Sequence, residues 1–319
     1  MKSDPTSVKR VASIDIGTNT ILLLVAEVDQ ERINPLFEME TIVRLGENLQ
    51  KSGVLSPDAM ERGLQTLTRY LERCQALEVQ ELFAVGTSAL REARNSEVFL
   101  TLVKEKLHLS IEVISGEEEA YLSFLAVVKD LREAGKPVLV VDVGGGSTEF
   151  ILGRGDRISQ WISLPLGSIR FTEQFLHSDP AQKGEWEKLE EKIRKLIVTI
   201  PHPPEPVSMV AVGGTATALA SVEQGLEEFI PAKIHHFVLR KEVLRNQLSL
   251  FRSKTFEERK KIPGLSVARA DVILAGGAIL YLAMEEVNCP SVLISCHGVR
   301  YGLIYKKLTL WKPTVLRQE

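Results

Sequence analysis

Carboxylates beside glycine turns dominate the chemically competent residues of this chain. Asp15-Ile16-Gly17-Thr18-Asn19-Thr20 follows the largely apolar residues 11–14. Gly17 permits a turn that a Cβ would crowd, and Thr18, Asn19 and Thr20 supply hydroxyl and amide donors for phosphate oxygens. Asp15 repels phosphate, yet it suits Mg²⁺ or a metal-bound water. A β-hairpin in which Asp15 and Asn19 merely serve the turn is the alternative. Asp142-Val143-Gly144-Gly145-Gly146-Ser147-Thr148 follows the apolar residues 138–141. Gly144, Gly145 and Gly146 leave the backbone bare to a ligand, and Ser147, Thr148 and Glu149 come next. No Lys-Ser/Thr pair follows the glycines, so this is not a Walker A loop.

Glu119 is the candidate general base. Ser115-Gly116-Glu117-Glu118-Glu119 opens a helix; Ser115 with Glu118 matches a capping box, and acidic residues suit a first turn. Those roles account for Glu117 and Glu118 and leave Glu119 for taking a proton from an attacking water. Arg91 and Arg94 lie one turn apart after Gly86-Thr87-Ser88. An exposed helical face is the default for such a pair, but Arg91 also fits a bidentate phosphate fork. Arg44, Arg170, Lys233, Arg269 and Arg300 are weaker candidates for the same contact and read first as surface charges. His235 and His236 are adjacent and on a strand would face opposite ways. The absence of His/Cys ligand spacing argues against a zinc site.

The elements that must hold these residues are doubled. Asp15 and Asp142 are 127 residues apart, and Ala84-Val85-Gly86-Thr87 stands at the same offset from Ala211-Val212-Gly213-Gly214-Thr215. Two unrelated matches at one spacing imply an internal duplication. Each copy would end in strand-to-turn corners whose backbone N–H groups bind phosphate. Gly213, Gly214 and Thr215 are therefore phosphate candidates beside the two hairpin loops. Strands are expected at 10–29 (turning at Gly17), 32–45, 81–85 and 111–114, then at 138–143, 149–154, 157–163, 207–212 and 290–295. Helices are expected at 57–75, 88–94, 96–107, 116–132, 169–176, 182–200 and 215–222, with two or three between 241 and 287 and a last one at 299–310. Alternating strands and helices make an α/β fold.

Composition is that of a soluble globular protein, with 319 residues, 44% hydrophobic and 25% charged. The length suggests two domains. Net charge is −3, so no global basic field exists to bind a nucleic acid polymer. Cys74, Cys289 and Cys296 form no C-x-x-C pair. With no apolar signal core and no span-length apolar run, the sequence points to a cytoplasmic protein without membrane contact.

Ile14–Thr20, Gly86–Ala93, Ile114–Ala120, Val141–Glu149, Leu164-Pro165-Leu166-Gly167-Ser168, Val212–Thr217 and Ile262-Pro263-Gly264-Leu265 stand in order. Together they resemble the exopolyphosphatase / guanosine pentaphosphate phosphohydrolase family across nearly the whole chain. The resemblance implies two duplicated ribonuclease-H-like domains of the actin / sugar-kinase / heat-shock ATPase superfold around a cleft. Residues 1–128 with a closing helix 299–319 would form one, and 129–298 the other. It implies hydrolysis of terminal phosphate from inorganic polyphosphate or guanosine pentaphosphate, with Mg²⁺; guanosine tetraphosphate is a further binding partner, and a monovalent cation and a homodimer are left open. Glu119 would activate water and Arg91 contact phosphate. Asp15 and Asp142, with Glu149, would attend the metal, and Asn19, Gly145, Ser147 and Gly214 would line the phosphate path. An ATP-dependent kinase of the same superfold and a non-catalytic guanosine tetra- or pentaphosphate-binding protein are the competing readings. Relatives carry Ser-Asp-x-Gly near the C-terminus; this chain has Ser295-Cys296-His297-Gly298. It resembles the short two-domain form.

Overall fold

A computed structural model describes residues 8–29, 32–131, 136–155, 157–203 and 207–307. The chain divides into two compact units. Of the described residues, those up to Ser115 and Val299–Lys307 form the first, and those of Gly116–Gly298 form the second.

The first unit is built on a sheet of β1 (Lys9–Ile16), β2 (Thr20–Asp29), β3 (Arg32–Ile42), β4 (Glu81–Gly86) and β5 (Glu112–Val113), in the order β3-β2-β1-β4-β5. The β1–β2 hairpin closes where Gly17 N–H donates to the Thr20 carbonyl at 2.9 Å. Helix Pro57–Ala76 starts at Ser56, whose hydroxyl accepts from Ala59 N–H at 3.2 Å, with Pro57 at the first helical position. Leu64, Leu67 and Tyr70 recur on one face of it and join Ile14, Ile16, Leu23 and Phe99 in a single core. The Tyr70 hydroxyl donates to the Ile21 carbonyl at 2.8 Å. Helix Val299–Lys307 packs on β1 and β2, and the Ser13 hydroxyl donates to the Arg300 carbonyl at 2.8 Å.

The second unit has β6 (Pro137–Val143), β7 (Thr148–Arg154), β8 (Arg157–Leu164), β9 (Ser208–Val212), β10 (Val238–Arg240) and β11 (Ser291–Ile294), ordered β10-β11-β9-β6-β7-β8. Strand alternation sends Val138 and Val140 to one face, where helix Gly116–Leu131 lays Ala120, Phe124 and Val127 on them. Leu139, Val141 and Val143 point to the other face. They pack there against helices Ser168–Phe175, Lys183–Ile197, Gly213–Glu223, Lys241–Ser253 and Ile273–Glu286.

The expected duplication is present strand by strand. β3-β2-β1-β4 and β8-β7-β6-β9 follow one order. Asp15 pairs with Val85 across parallel strands, and Asp142 with Val212, so both partners keep the 127-residue offset. The hairpin bond repeats as well, from Gly144 N–H to the Ser147 carbonyl at 3.0 Å.

Two expectations need correction. The expected first domain takes in helix Gly116–Leu131 as far as residue 128. The helix packs on β6, β7 and β8, and so belongs to the second unit. His235 and His236 are not on a strand. His235 ends the short helix Pro231–Ile234, His236 turns with φ 65°, and the two rings stack at 4.0 Å. The closing helix is described to Lys307; residues 308–319 of the expected 299–319 lie outside the described residues.

Candidate active site

The triple-glycine loop is shaped by its carbonyls. Ser168 N–H donates to the Gly144 carbonyl at 2.9 Å, and Ile169 and Arg170 N–H to that of Gly145 at 3.0 and 3.1 Å. Arg170 Nε donates to the Gly146 carbonyl at 2.6 Å. In a trans peptide the carbonyl and the next N–H point opposite ways. Three carbonyls turned toward helix Ser168–Phe175 therefore turn the N–H groups of Gly145, Gly146 and Ser147 to the other face. Consecutive N–H groups aimed together make an anion nest. The first unit's loop obeys the same rule. Gly46 N–H holds the Thr18 carbonyl at 2.9 Å, and Val43 and Arg44 N–H hold that of Asn19 at 2.9 and 2.8 Å. The N–H groups of Asn19 and Thr20 then point away from that anchor.

Asn19 adds a side-chain signal. It is 6% exposed, and neither its amide nitrogen nor its amide oxygen has a hydrogen-bond partner. An unsatisfied buried amide costs about 1–3 kcal/mol, and phosphate oxygens would satisfy its N–H donors.

Three carboxylates gather in the second unit. Glu119 sits in the first turn of helix Gly116–Leu131 and Ser123 one turn later, so both look onto β6 and β7. The Ser123 hydroxyl donates to Asp142 Oδ2 at 2.6 Å. Glu149 pairs with Ser163 across β7–β8, and the Ser163 hydroxyl donates to Glu149 Oε1 at 2.7 Å. Glu149 is 1% exposed and Glu119 8%. Burial, then the charges of Glu119 and Asp142, hold the Glu149 carboxyl well above the ordinary range, against hydrogen bonds from Ser163 and Ser147. Burial also raises Asp142, and its Ser123 bond opposes the shift. Mutual repulsion of this kind is what a divalent cation relieves, so Asp142 and Glu149 fit a hard, oxygen-liganded ion such as Mg²⁺. Asp15, the counterpart of Asp142, is partly buried in the first unit at the end of β1.

The other candidates fall where their elements put them. Gly213 opens helix Gly213–Glu223 with φ 86°, which leaves its N–H and those of Gly214 and Thr215 outside the helical ladder. The Arg91 backbone extends the corner after β4, and its Nη1 donates to the Ile114 carbonyl at 3.1 Å. Thr148 is a correction. Its hydroxyl donates to the Leu166 carbonyl and is fully buried, so it serves the scaffold rather than a ligand.

Arg269, a weaker phosphate candidate expected first as a surface charge, is buried. It is 8% exposed, not a surface charge, and its guanidinium occupies the space beside Gly214. A Cβ at Gly214 would meet Arg269 Nη2 at 2.0 Å. Arg300 is likewise buried, at 8%, and pairs with Glu38. No local signal marks either arginine, because each is buried by a partner far off in the chain.

Residues 24–310 match the profile of the Ppx/GppA phosphatase family. The chain is 33% identical over 314 residues to a bifunctional 3-dehydroquinate synthase/phosphatase of Fusobacterium nucleatum; the match takes in 92% of this chain and 46% of that protein. It thus spans about half the length of that relative. It is 33% identical over 316 residues to exopolyphosphatase 2 of Mycobacterium tuberculosis, covering 92% and 97% of the two chains. Among solved structures, the Aquifex aeolicus member of the Ppx/GppA protein family aligns with a TM-score of 0.81 at 33% identity, over 95% of this chain and 98% of that one. An exopolyphosphatase from Cytophaga hutchinsonii aligns with a TM-score of 0.86 at 26% identity, over 95% and 99%.

Proposed function

The chain belongs to the Ppx/GppA phosphatase family, and from that premise we propose that it releases the terminal phosphate of inorganic polyphosphate, and of guanosine pentaphosphate, by in-line attack of water. The fold is the duplicated actin-like ATPase fold, and the enzyme class is phosphoanhydride hydrolase. The observation that carries the reading is the buried Glu119 carboxylate beside Asp142 and Glu149, in the unit whose glycine loop turns three N–H groups to one face.

Glu119 takes the proton of the attacking water. In the second unit, N–H groups of Gly145, Gly146, Ser147, Gly213, Gly214 and Thr215 receive charge on phosphoryl oxygens; in the first unit Asn19, with Thr18 and Thr20, and Arg91 are the phosphate contacts of this reading. Asp142 and Glu149 are the residues of the second unit that would hold Mg²⁺, and Asp15 is the corresponding metal candidate of the first. The ion would neutralise charge on the phosphoryl oxygens. A cytoplasmic setting and a homodimer belong to the same reading. Among the described residues no helix is long and apolar enough to cross a membrane.

The test is phosphate release from polyphosphate and guanosine pentaphosphate, side by side, with and without Mg²⁺. Glu119→Gln is expected to lower turnover by roughly 10²–10⁴ while substrate still binds. Wild-type turnover in that variant, or phosphate transfer only when an acceptor alcohol is present, would remove the hydrolase assignment.

A further inference from the structure

Away from the carboxylate cluster, three imidazoles converge on one carboxylate. Asp130 lies near the C-terminal end of helix Gly116–Leu131, 11 residues after Glu119. At the rise of an α-helix that is about 16 Å along the axis. His235 Nε2 is 3.1 Å from Asp130 Oδ2, and His297 Nδ1 is 3.6 Å from Oδ1. His236 Nε2 reaches Oδ2 at 2.7 Å. The rings of His235 and His297 lie 4.3 Å apart. Asp130, His235 and His297 come from three separate segments: a helix end, the turn after helix Pro231–Ile234, and the turn after β11.

We propose that Asp130, His235 and His297 form a second metal site, for one divalent transition ion of the zinc class. One ligand atom from each residue lies within 4.8 Å of the other two. Zinc–nitrogen and zinc–oxygen bonds of about 2.0–2.2 Å in tetrahedral array space neighbouring ligand atoms by about 3.3 Å. His235 Nε2 stands 3.1 Å from Asp130 Oδ2, near that spacing, and His297 Nδ1 stands 3.6 Å from the other carboxylate oxygen, so a small shift of the carboxylate brings the set together. Two imidazoles with one carboxylate select zinc, cobalt or nickel over magnesium, which takes oxygen ligands. Three protein ligands leave a fourth position for water. The three side chains are 16–21% exposed, which gives an ion a way in. His236 stands beside the set as a further imidazole on the same carboxylate.

Binding requires a proton to move within His235. Cys296 N–H donates to His235 Nδ1 at 3.1 Å, so the neutral ring carries its proton on Nε2, facing Asp130. Coordination through Nε2 transfers that proton to Nδ1 by way of solvent. The Cys296 amide then loses its acceptor, and a hydrogen bond is exchanged for a metal–nitrogen bond. The turn at 295–298 is therefore the part of the chain that metal rearranges.

The test is Co²⁺ titration of chelator-stripped protein, followed by d–d absorption and calorimetry. One tetrahedral Co²⁺ per chain is expected, displaced by Zn²⁺ and not by excess Mg²⁺. His297→Gln and Asp130→Asn should each weaken uptake at least tenfold with far-UV circular dichroism unchanged. Glu149→Gln, in the other cluster, should leave it intact. X-ray absorption at the zinc edge of the wild-type protein keeps the proposal testable if a variant fails to fold; two imidazoles and a light oxygen shell are expected. No saturable Co²⁺ uptake, equal uptake by the His297→Gln/Asp130→Asn double variant, or an all-oxygen shell would overturn it.

Discussion

Two residues carry the sharpest energetic signatures. Asn19 keeps a buried amide unsatisfied, which weakens the fold and, in the proposed function, is offset when phosphate binds. Replacing such a group by an apolar one of similar size removes the desolvation penalty. Asn19→Leu should therefore leave the melting temperature unchanged or raised, while KM for polyphosphate rises about tenfold or more through loss of a charged hydrogen bond. Thermal melts and phosphate-release kinetics on one preparation check both halves. Glu149 gives the opposite kind of prediction. Its folded pKa lies above the unfolded value, so the folded state holds more protons. Stability accordingly falls as pH rises from the unfolded carboxylate value of about 4.3 toward the folded one. Glu149→Gln removes that loss. It should raise the melting temperature at pH 7.5 in metal-free buffer, with a gain that shrinks toward pH 4, and added Mg²⁺ should stabilise the wild type more than the variant. Both residues were legible in the sequence because each stands within a few positions of a glycine turn. Arg269 was not, since only the folded chain brings its guanidinium over Gly214.

At the scale of elements, the glycine loop depends on the segment that anchors it. Gly167 precedes helix Ser168–Phe175, and a Cβ there would meet the Gly145 carbonyl oxygen at 2.3 Å, a backbone atom with no rotamer to change. Gly167→Ala should destabilise by about 1–3 kcal/mol and lower phosphate release, because the nest moves with its anchor. Gly184, in the first turn of helix Lys183–Ile197, meets nothing within 4 Å. Gly184→Ala should stabilise by roughly 0.5–1 kcal/mol with activity unchanged. Denaturant unfolding of the pair separates a packing glycine from an incidental one. Long periodic elements such as Pro57–Ala76 were readable from cap and stripe. β10 was not: three residues on a sheet edge, with Val238 and Arg240 exposed, offer no periodicity to read. The Asp130–His235–His297 cluster escaped for a related reason, since its members are drawn together only by the fold.

Over the whole molecule, a net charge of −3 gives no long-range pull on a polyanion. In the proposed function, capture rests on backbone N–H groups, with Asn19 and Arg91, acting at short range. Raising KCl from 50 to 200 mM should change kcat/KM for polyphosphate by no more than about threefold, far less than for a protein that binds through a basic surface. A steep salt dependence would point to a cationic face outside the two glycine loops. The two-unit plan was legible because a fixed offset is a global signal. The place of helix Gly116–Leu131 was not, because a helix between two copies is assigned by what it packs on.

The two hairpins close with the same bond at the same offset, yet Leu22 sits opposite Asp15 where Glu149 sits opposite Asp142. They are interchangeable parts that differ in cargo. A chimera carrying residues 144–147 in place of 17–20 would swap like-shaped pieces, and the strands around it would keep their register. A graft at this position therefore tests backbone shape separately from side-chain chemistry, a separation few single substitutions allow.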